Sequence, residues 1–444
     1  LMRKTLTLLA AVLASFSTAA RADTVEVSST TLLNAGPQTR GGSPGTAPDL
    51  VNVAPAYEIL NLSARNVTNS FAKDLTLVVS SWGSVEIGDH RWDAGTSGGL
   101  NADLQAAYVQ GRVAGDKLLV RLGRQQVMAG VGRMLHLDGG EAALDFAGLR
   151  FSGYAGLPVS QRFQSRSGTV SWNPAGGDLA YGGRASYSFA PPGFSGKVFT
   201  LGASANFVED GGDPVRQEVG GDVRWQPTAS LTFSGLGAYS LYDSRFSEGN
   251  AAITWAASKK LYVTADWRFT APDLFLSRTS IFSVFSLEHR NDLGGGVTYE
   301  LAHGLEAGLD AHLAIEPGET GSKTYYGSDG EAELVWKKGT TRAGLEVSYL
   351  DSLDNGYWGA RVFGRRDLGT RLFAAADVMT YIFRARVNGE PMAVTGTVTA
   401  GVNIARGFSA VLAGRASMTP YLEQAFDVMA KLVYNQTYVA KEVR

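Results

Sequence analysis

Strict alternation of apolar and polar residues, repeated in one stretch after another, constrains this chain more than any other feature of its sequence. In residues 304–316 every second position from Leu305 to Ile315 is apolar, and the positions between them are mostly charged or small. A period of two places alternate side chains on opposite faces of a β-strand. Residues 260–269 and 343–349 repeat the pattern. The sequence therefore predicts many strands, each with one apolar and one charged face.

Such two-faced strands favour one architecture over the others. A packed sandwich would have to bury the charged face, whereas a barrel with lipid outside and water inside requires both faces. We therefore predict an all-β, antiparallel up-and-down barrel of the bacterial outer membrane. A soluble propeller or solenoid is the alternative, and it would show an internal sequence repeat that we do not find here.

The first 22 residues have the features of a secretory signal. Arg3 and Lys4 precede an apolar stretch, and Ala20 to Ala22 form a small-x-small cleavage site. The apolar stretch is shorter than the roughly 20 residues that a transmembrane helix needs. We predict a signal peptide over residues 1–22 and a single barrel domain over residues 23–444.

Composition excludes several classes of protein. The chain contains no Cys, so disulfides, thiolate metal sites and haem-attachment motifs are impossible. Without the three basic residues of the predicted signal, 37 of the 40 basic residues remain against 42 acidic ones. This mildly acidic balance argues against a partner made of nucleic acid.

Turn residues divide the chain into about 22 strands, or 18 to 20 if adjacent stretches merge. Clusters of Gly, Asn, Asp, Pro and Lys mark short turns, and longer polar segments alternate with them. An even number of strands leaves both ends of the sheet on the periplasmic side. A barrel of this size encloses a wide lumen that loops or a partner must restrict.

One region resembles a known family. Ala107-Tyr108-Val109 is followed by the stretch from Leu118 to Gln126 and then by Asp145 to Arg150. This order resembles that of the porin-like alginate-export channels, in which a long loop separates the last two strands. The resemblance covers residues 100–152 and implies lumen arginines at Arg121, Arg124 and Arg150. It also implies a constricting loop over residues 128–143 that carries Arg133.

Arginines recur inside the predicted strands, and a guanidinium on the lipid face would cost about 2–4 kcal/mol at the membrane midplane. We therefore expect them in the lumen, where they can bind carboxylate or phosphate. The alternative is a mixed ladder in which interleaved carboxylates pair with them and stiffen the wall. The predicted pore-lining and selectivity residues are Arg112, Arg121, Arg124, Arg133, Asp145, Arg150, Asp266, Arg268 and Arg361.

A second loop, residues 271–290, is unusually apolar for an exposed connection. One hypothesis is that it folds into the lumen as a gate or contacts a partner, and the alternative is that residues 280–287 extend a strand. The predicted gate residues are Leu274, Phe275, Ile281, Phe282 and Phe285.

Enzymatic chemistry finds little support in the sequence. None of the five His has a metal-binding spacing such as HExxH. A catalytic group assembled from distant residues would leave no local motif; His312, with Glu306 and Asp310, comes nearest to one. We predict no enzyme activity, no cofactor and no metal.

The predicted function is transport through an outer-membrane channel, with a polysaccharide or an anionic saccharide as the best specific substrate. A general diffusion porin for small solutes is the first alternative, and a barrel sheath around a periplasmic electron-transfer cytochrome is the second. The expected partners are outer-membrane lipid, a saccharide or small anionic solute, and periplasmic export or electron-transfer components.

Overall fold

The computed structural model describes residues 22–40, 49–67, 72–88, 100–128, 134–159, 178–190, 198–271, 289–316, 324–352, 355–420 and 422–439. These residues are almost entirely β-strand, with one short 3-10 turn at Ala302–Gly304. Among them no helix is both long enough and apolar enough to cross a membrane.

The strands, in chain order, are β1 (Ala22–Arg40), β2 (Asp49–Val53), β3 (Pro55–Val67), β4 (Lys73–Glu86), β5 (Leu100–Val113), β6 (Leu118–Met128), β7 (Met134–Phe146), β8 (Leu149–Pro158), β9 (Leu179–Phe189), β10 (Phe199–Asp210), β11 (Asp213–Thr228), β12 (Leu231–Ser240), β13 (Arg245–Ala256), β14 (Leu261–Thr270), β15 (Arg290–Glu300), β16 (Leu305–Glu316), β17 (Tyr325–Lys338), β18 (Thr341–Asp351), β19 (Gly356–Leu368), β20 (Leu372–Val387), β21 (Glu390–Ala405), β22 (Phe408–Thr419) and β23 (Leu422–Val439).

The strands form one closed antiparallel sheet. From β3 onward each strand pairs with the next along the chain, and β1 closes the sheet by pairing with both β3 and β23. The short β2 pairs only with the outer end of β1 and continues the line of β3. Twenty-three strands less β2 leave 22 around the barrel, so the predicted fold class and an even strand number are confirmed.

Each strand has one apolar face that is widely exposed, as the alternating sequence predicts. On β16 Leu309 is 55% exposed, and on β21 Val398 is 66% exposed. Trp225 and Trp255 lie on the same outward face at the end where β1 begins and β23 ends, next to short turns, and are 46% and 49% exposed. An outward apolar band bordered by aromatic residues is the lipid-facing surface of an outer-membrane barrel.

The turns at the end where β1 begins and β23 ends are tight, and some of them require glycine. Gly304 has φ of +78°, and a Cβ there would lie 2.0 Å from the carbonyl oxygen of Lys337. Gly407 has the same φ, and its Cβ would lie 2.2 Å from the carbonyl oxygen of Asn435. Residues with a side chain would therefore strain both turns, whose left-handed conformation glycine adopts freely.

The predicted constricting loop over residues 128–143 is wrong, because Met134–Phe146 is strand β7 and pairs on both sides with β6 and β8. Asp138, Gly139 and Gly140 look like turn residues in the sequence. In the sheet, the backbone of the adjacent strand β8 occupies the space where a side chain at position 139 would lie. A Cβ on Gly139 would be 2.2 Å from the carbonyl oxygen of Ala155.

Other sequence-based predictions fall outside the described residues. These are the signal peptide apart from Ala22, where β1 already begins, and Arg133. The gate residues Leu274, Phe275, Ile281, Phe282 and Phe285 also lie outside the described part of the chain. At the borders of that predicted gate, Ala271 donates its N–H to the carbonyl oxygen of Ser247 (3.0 Å), and Arg290 begins β15.

Candidate channel lumen

The candidate site is the inner face of the barrel, formed by the residues that alternate with the exposed apolar ones. On β14, Asp266 and Arg268 flank Trp267, which faces outward and is 39% exposed. On β19, Arg361 precedes the outward-facing Val362, which is 59% exposed. Alternation therefore places Asp266, Arg268 and Arg361 on the lumen side of the wall.

Arg361 is held in an ion-pair network that spans three strands. Its guanidinium lies 2.6 Å from the carboxylate of Asp377 on β20 and 3.3 Å from that of Glu346 on β18. Two of its nitrogens donate to the same Asp377 oxygen, at 2.9 and 2.6 Å. Both carboxylates are therefore engaged with a single cation, and the network joins β18, β19 and β20.

Asp266 and Arg268 line a recess of about 390 Å³ in the lumen wall between β14 and β19. His312 lies within it, with Nε2 3.2 Å from Asp266 and Nδ1 3.0 Å from Asp310. The charged residues that line the recess are five carboxylates, two guanidiniums and one histidine, namely Asp266, Asp292, Asp310, Asp329, Glu331, Arg268, Arg290 and His312. This sector of the wall therefore has more acidic than basic groups.

Despite this cluster of carboxylates, no group of three or more His, Cys, Asp or Glu with the geometry to hold a metal ion is found among the described residues.

The predicted arginines on β5, β6 and β8 also have carboxylate partners. Arg121 lies 3.1 Å from Glu141, and its Nε donates to Gln110 at 2.8 Å. Asp145 lies between two cations, 3.9 Å from Arg112 and 3.6 Å from Arg150. The structure brings these residues onto one patch of the wall as a mixed ladder, which is the alternative that the sequence leaves open.

Arg124 has a different environment from Arg121. The two are three residues apart, so regular alternation would place them on opposite faces of β6, which the prediction of two lumen arginines overlooked. Gly123 between them has φ of +124° and interrupts the regular strand. The Arg124 guanidinium donates to Asp138 at 2.6 and 2.7 Å and lies 3.4 Å from Asp103. It is only 10% exposed, so it is enclosed in the wall.

Lumen arginines on other strands are also paired with carboxylates. Arg184 on β9 donates to Asp222 on β11 at 2.6 and 3.0 Å, and it passes over Gly202 of the intervening β10. A Cβ at Gly202 would lie 2.3 Å from the Arg184 Nη2 atom, so glycine makes room for the pair. The alternating charges indicated such pairs, but the strand register that selects each partner leaves no local signal.

Part of the lumen-side face is covered. Tyr154 donates its hydroxyl to Asn206 at 2.8 Å, and Ser247 donates to Glu218 at 2.8 Å. Asn206 and Ser247 are each 1% exposed and Glu218 is 7% exposed, although all three occupy lumen-side positions. These positions on β10, β11 and β13 therefore do not line open water.

Sequence reasoning missed a set of aromatic residues on the lumen side of β19 and β20. Phe363, Phe373 and Tyr381 occupy the same alternate positions as Arg361 and Asp377. The signal was present, because each ring stands on the polar face of its strand. Aromatic residues are common in strands of every kind, however, so the pattern alone did not single them out.

Comparison with known proteins gives neither a family nor a curated relative, since no family model and no curated protein matches the chain. Among solved structures, Pseudomonas aeruginosa OccK3 (OpdO) is similar with a TM-score of 0.42 and 11% identity over 93% of this chain and 96% of that chain. Acinetobacter baumannii OccAB4 gives 0.44 and 11%, over 93% and 98%.

P. aeruginosa OccK2 (OpdF), solved in complex with glucuronate, gives a TM-score of 0.43 and 10% identity over 94% of this chain and 96% of that chain. These TM-scores and identities are low, and the architecture follows from this chain's own strand pairing. The resemblance of residues 100–152 to alginate-export channels gains no support from these comparisons and stays a prediction.

Proposed function

We propose that this chain is a channel of the bacterial outer membrane through which small hydrophilic solutes diffuse. The observation that carries the proposal is a closed barrel of 22 strands whose inner face is polar and charged. All described residues belong to strands or short connections, so among them none forms a plug domain. Barrels of 16 or more strands enclose a lumen wide enough for water or a plug.

The pairing of the lumen arginines favours diffusion of small solutes over export of an acidic polysaccharide. A polyanion would need guanidiniums that can bind it, and such binding is strongest when the ligand supplies the carboxylate. In this wall Arg121, Arg184 and Arg361 already have carboxylate partners within 3.1 Å. Export of an acidic polysaccharide and a sheath around a periplasmic cytochrome stay predictions.

The test is conductance of the purified protein in a planar lipid bilayer, with and without an acidic polysaccharide such as alginate. We expect steady, ohmic channels that alginate does not block. The Arg121→Gln variant should conduct as well as the parent, because the Arg121 guanidinium is already engaged by Glu141 and Gln110 rather than by passing solute. Absence of any conductance would overturn the proposal, and block by alginate that Arg121→Gln abolishes would favour polysaccharide transport instead.

A further inference from the structure

Three aromatic side chains form a line on the lumen side of β19 and β20. Phe363, Phe373 and Tyr381 are partly exposed, and they alternate with outward residues such as Val362 (59% exposed) and Ile382 (55% exposed). Large apolar groups in a water-filled lumen are costly to hydrate. We call these three residues the aromatic track.

Each ring of the aromatic track lies over a glycine of the neighbouring strand. Phe363 is opposite Gly344, Phe373 is opposite Gly401, and Tyr381 is opposite Gly359. The rings lie close to these glycines: a Cβ would be 2.4 Å from the Phe363 ring at Gly344, 2.1 Å from the Phe373 ring at Gly401, and 3.2 Å from the Tyr381 ring at Gly359. Each ring therefore lies against the wall, and each side chain is partly exposed on the lumen side.

Charged groups of both signs accompany the rings. The guanidinium carbon of Arg361 lies 5.0 Å from the Phe363 ring centroid, and that of Arg342 lies 5.5 Å away. Arg365 lies 4.2 Å from the Phe373 centroid and 3.3 Å from Asp367. Paired hydrogen-bond donors and acceptors thus lie next to the apolar surfaces.

The rings are spread along the length of the lumen. Phe373 and Tyr381 are eight residues apart on β20, which corresponds to about 26 Å at the rise of a strand. Phe363 pairs with Asp377, midway between them. At the far end Tyr357 meets Tyr381 edge to face, at 4.9 Å between centroids, and Tyr357 also lines the acidic recess.

A purely structural role explains part of this arrangement, because a cross-strand aromatic ring over a glycine shields the exposed backbone. Such shielding does not require the rings to be partly exposed, in line along two adjacent strands and accompanied by both donors and acceptors. A ligand with apolar ring faces and hydroxyl edges would match all of these features.

We propose that the aromatic track is a binding surface for saccharide chains that pass along the lumen, an inference that rests on the proposed channel function. The C–H faces of sugar rings stack on the aromatic faces, and their hydroxyls bond to the neighbouring guanidiniums and carboxylates. The track has three guanidiniums beside it, Arg342, Arg361 and Arg365, and three carboxylates, Glu346, Asp367 and Asp377. This balance favours neutral over acidic saccharides.

The experiment measures binding of maltohexaose to the purified protein in two ways, by block of single-channel current and by isothermal titration in detergent. Hexagalacturonate serves as the acidic probe and a polyethylene glycol of similar mass as a chain that cannot stack. The test variants are Phe363→Leu and Tyr381→Leu. The matched control is Tyr262→Leu, which removes a lumen-side aromatic residue of β14 that lies off the track.

We expect maltohexaose to bind more tightly than either other probe. Each track variant should weaken binding about tenfold, equivalent to about 1.4 kcal/mol, while Tyr262→Leu leaves it unchanged. Phe363→Tyr keeps the ring and should retain binding, which separates stacking from a folding defect. Heat-modifiable migration on gels confirms that every variant is folded.

Three results would contradict the inference: no binding of maltohexaose, equal loss in Tyr262→Leu, or tighter binding of hexagalacturonate. If the protein conducts but binds no saccharide, the track proposal fails and the channel proposal stands. If titration shows binding but no current is seen, the saccharide surface stands and open diffusion fails.

Discussion

Among single residues, the glycines that lie beneath long lumen side chains should be the most sensitive to substitution, because even a small added side chain would displace the groups above them. Gly202 lies under the Arg184–Asp222 pair, with the place of a Cβ 2.4 Å from an Asp222 carboxylate oxygen. The Gly202→Val variant should push the pair off the wall and lower the free energy of unfolding by about 1–3 kcal/mol, the usual cost of overpacking. Urea titration in lipid vesicles measures this difference.

Gly237→Val is the control for that prediction, because nothing lies within 4 Å of a Cβ at Gly237 on β12. Valine there should be tolerated, or even stabilise the strand by its β-propensity. Equal destabilisation by both substitutions would show that loss of a strand glycine, rather than displacement of the ion pair, is responsible.

Within a single strand, alternation makes neighbouring residues respond oppositely to the same substitution. Val398 in the middle of β21 faces outward and is 66% exposed, whereas Thr399 next to it faces the lumen. Val398→Arg should lower the free energy of unfolding by about 2–4 kcal/mol, because a guanidinium would meet the lipid core. Thr399→Arg should change it by less than about 0.5 kcal/mol.

Both variants are compared by urea-dependent unfolding in vesicles, followed by tryptophan fluorescence. If Thr399→Arg proved the more damaging of the two, the assignment of the faces would be reversed.

Strand β7 is a place where prediction from the local sequence fails. Its sequence has Asp138 followed by two glycines, a usual turn signal, and it lies within the predicted loop over residues 128–143. In the sheet, Gly139 and Gly156 are directly opposite each other, and neither leaves room for a Cβ. These glycines allow the adjacent backbones to approach closely and do not form a turn. The close approach depends on a partner strand that the local sequence does not specify.

For the barrel as a whole, the decisive contact is the seam where β1 meets β23. Ser28 is directly opposite Asn435 across this seam. Because the chain has no Cys, a Ser28→Cys/Asn435→Cys variant carries only the two new thiols. Directly opposite residues have Cβ atoms about 4.5–5.5 Å apart, so dibromobimane should bridge them and become fluorescent.

The control pair for the seam is Ser28→Cys with Lys431→Cys, which is four residues out of register and thus about 13 Å away along the strand. It should stay dark. Bridging of both pairs alike, or of neither, would contradict the closed register.

The sequence by itself determined the class of this protein. Alternation over segments such as residues 304–316 requires strands with one lipid-compatible and one water-compatible face, and this requirement is local, because each residue's side follows from its position in the strand. The strand number of about 22 and the lumen side of Asp266, Arg268 and Arg361 also follow from patterns that each strand carries alone.

Tertiary structure decided which residues meet. The register of β18 to β21 places Phe363, Phe373 and Tyr381 over three glycines. The pairing of β6 with β5 and β7 places Arg124 between the carboxylates of Asp103 and Asp138. A shift of one residue in either register would turn every side chain to the other face at no cost to local propensity. The partners therefore depend on closure of the entire sheet, and no window of the sequence contains that information.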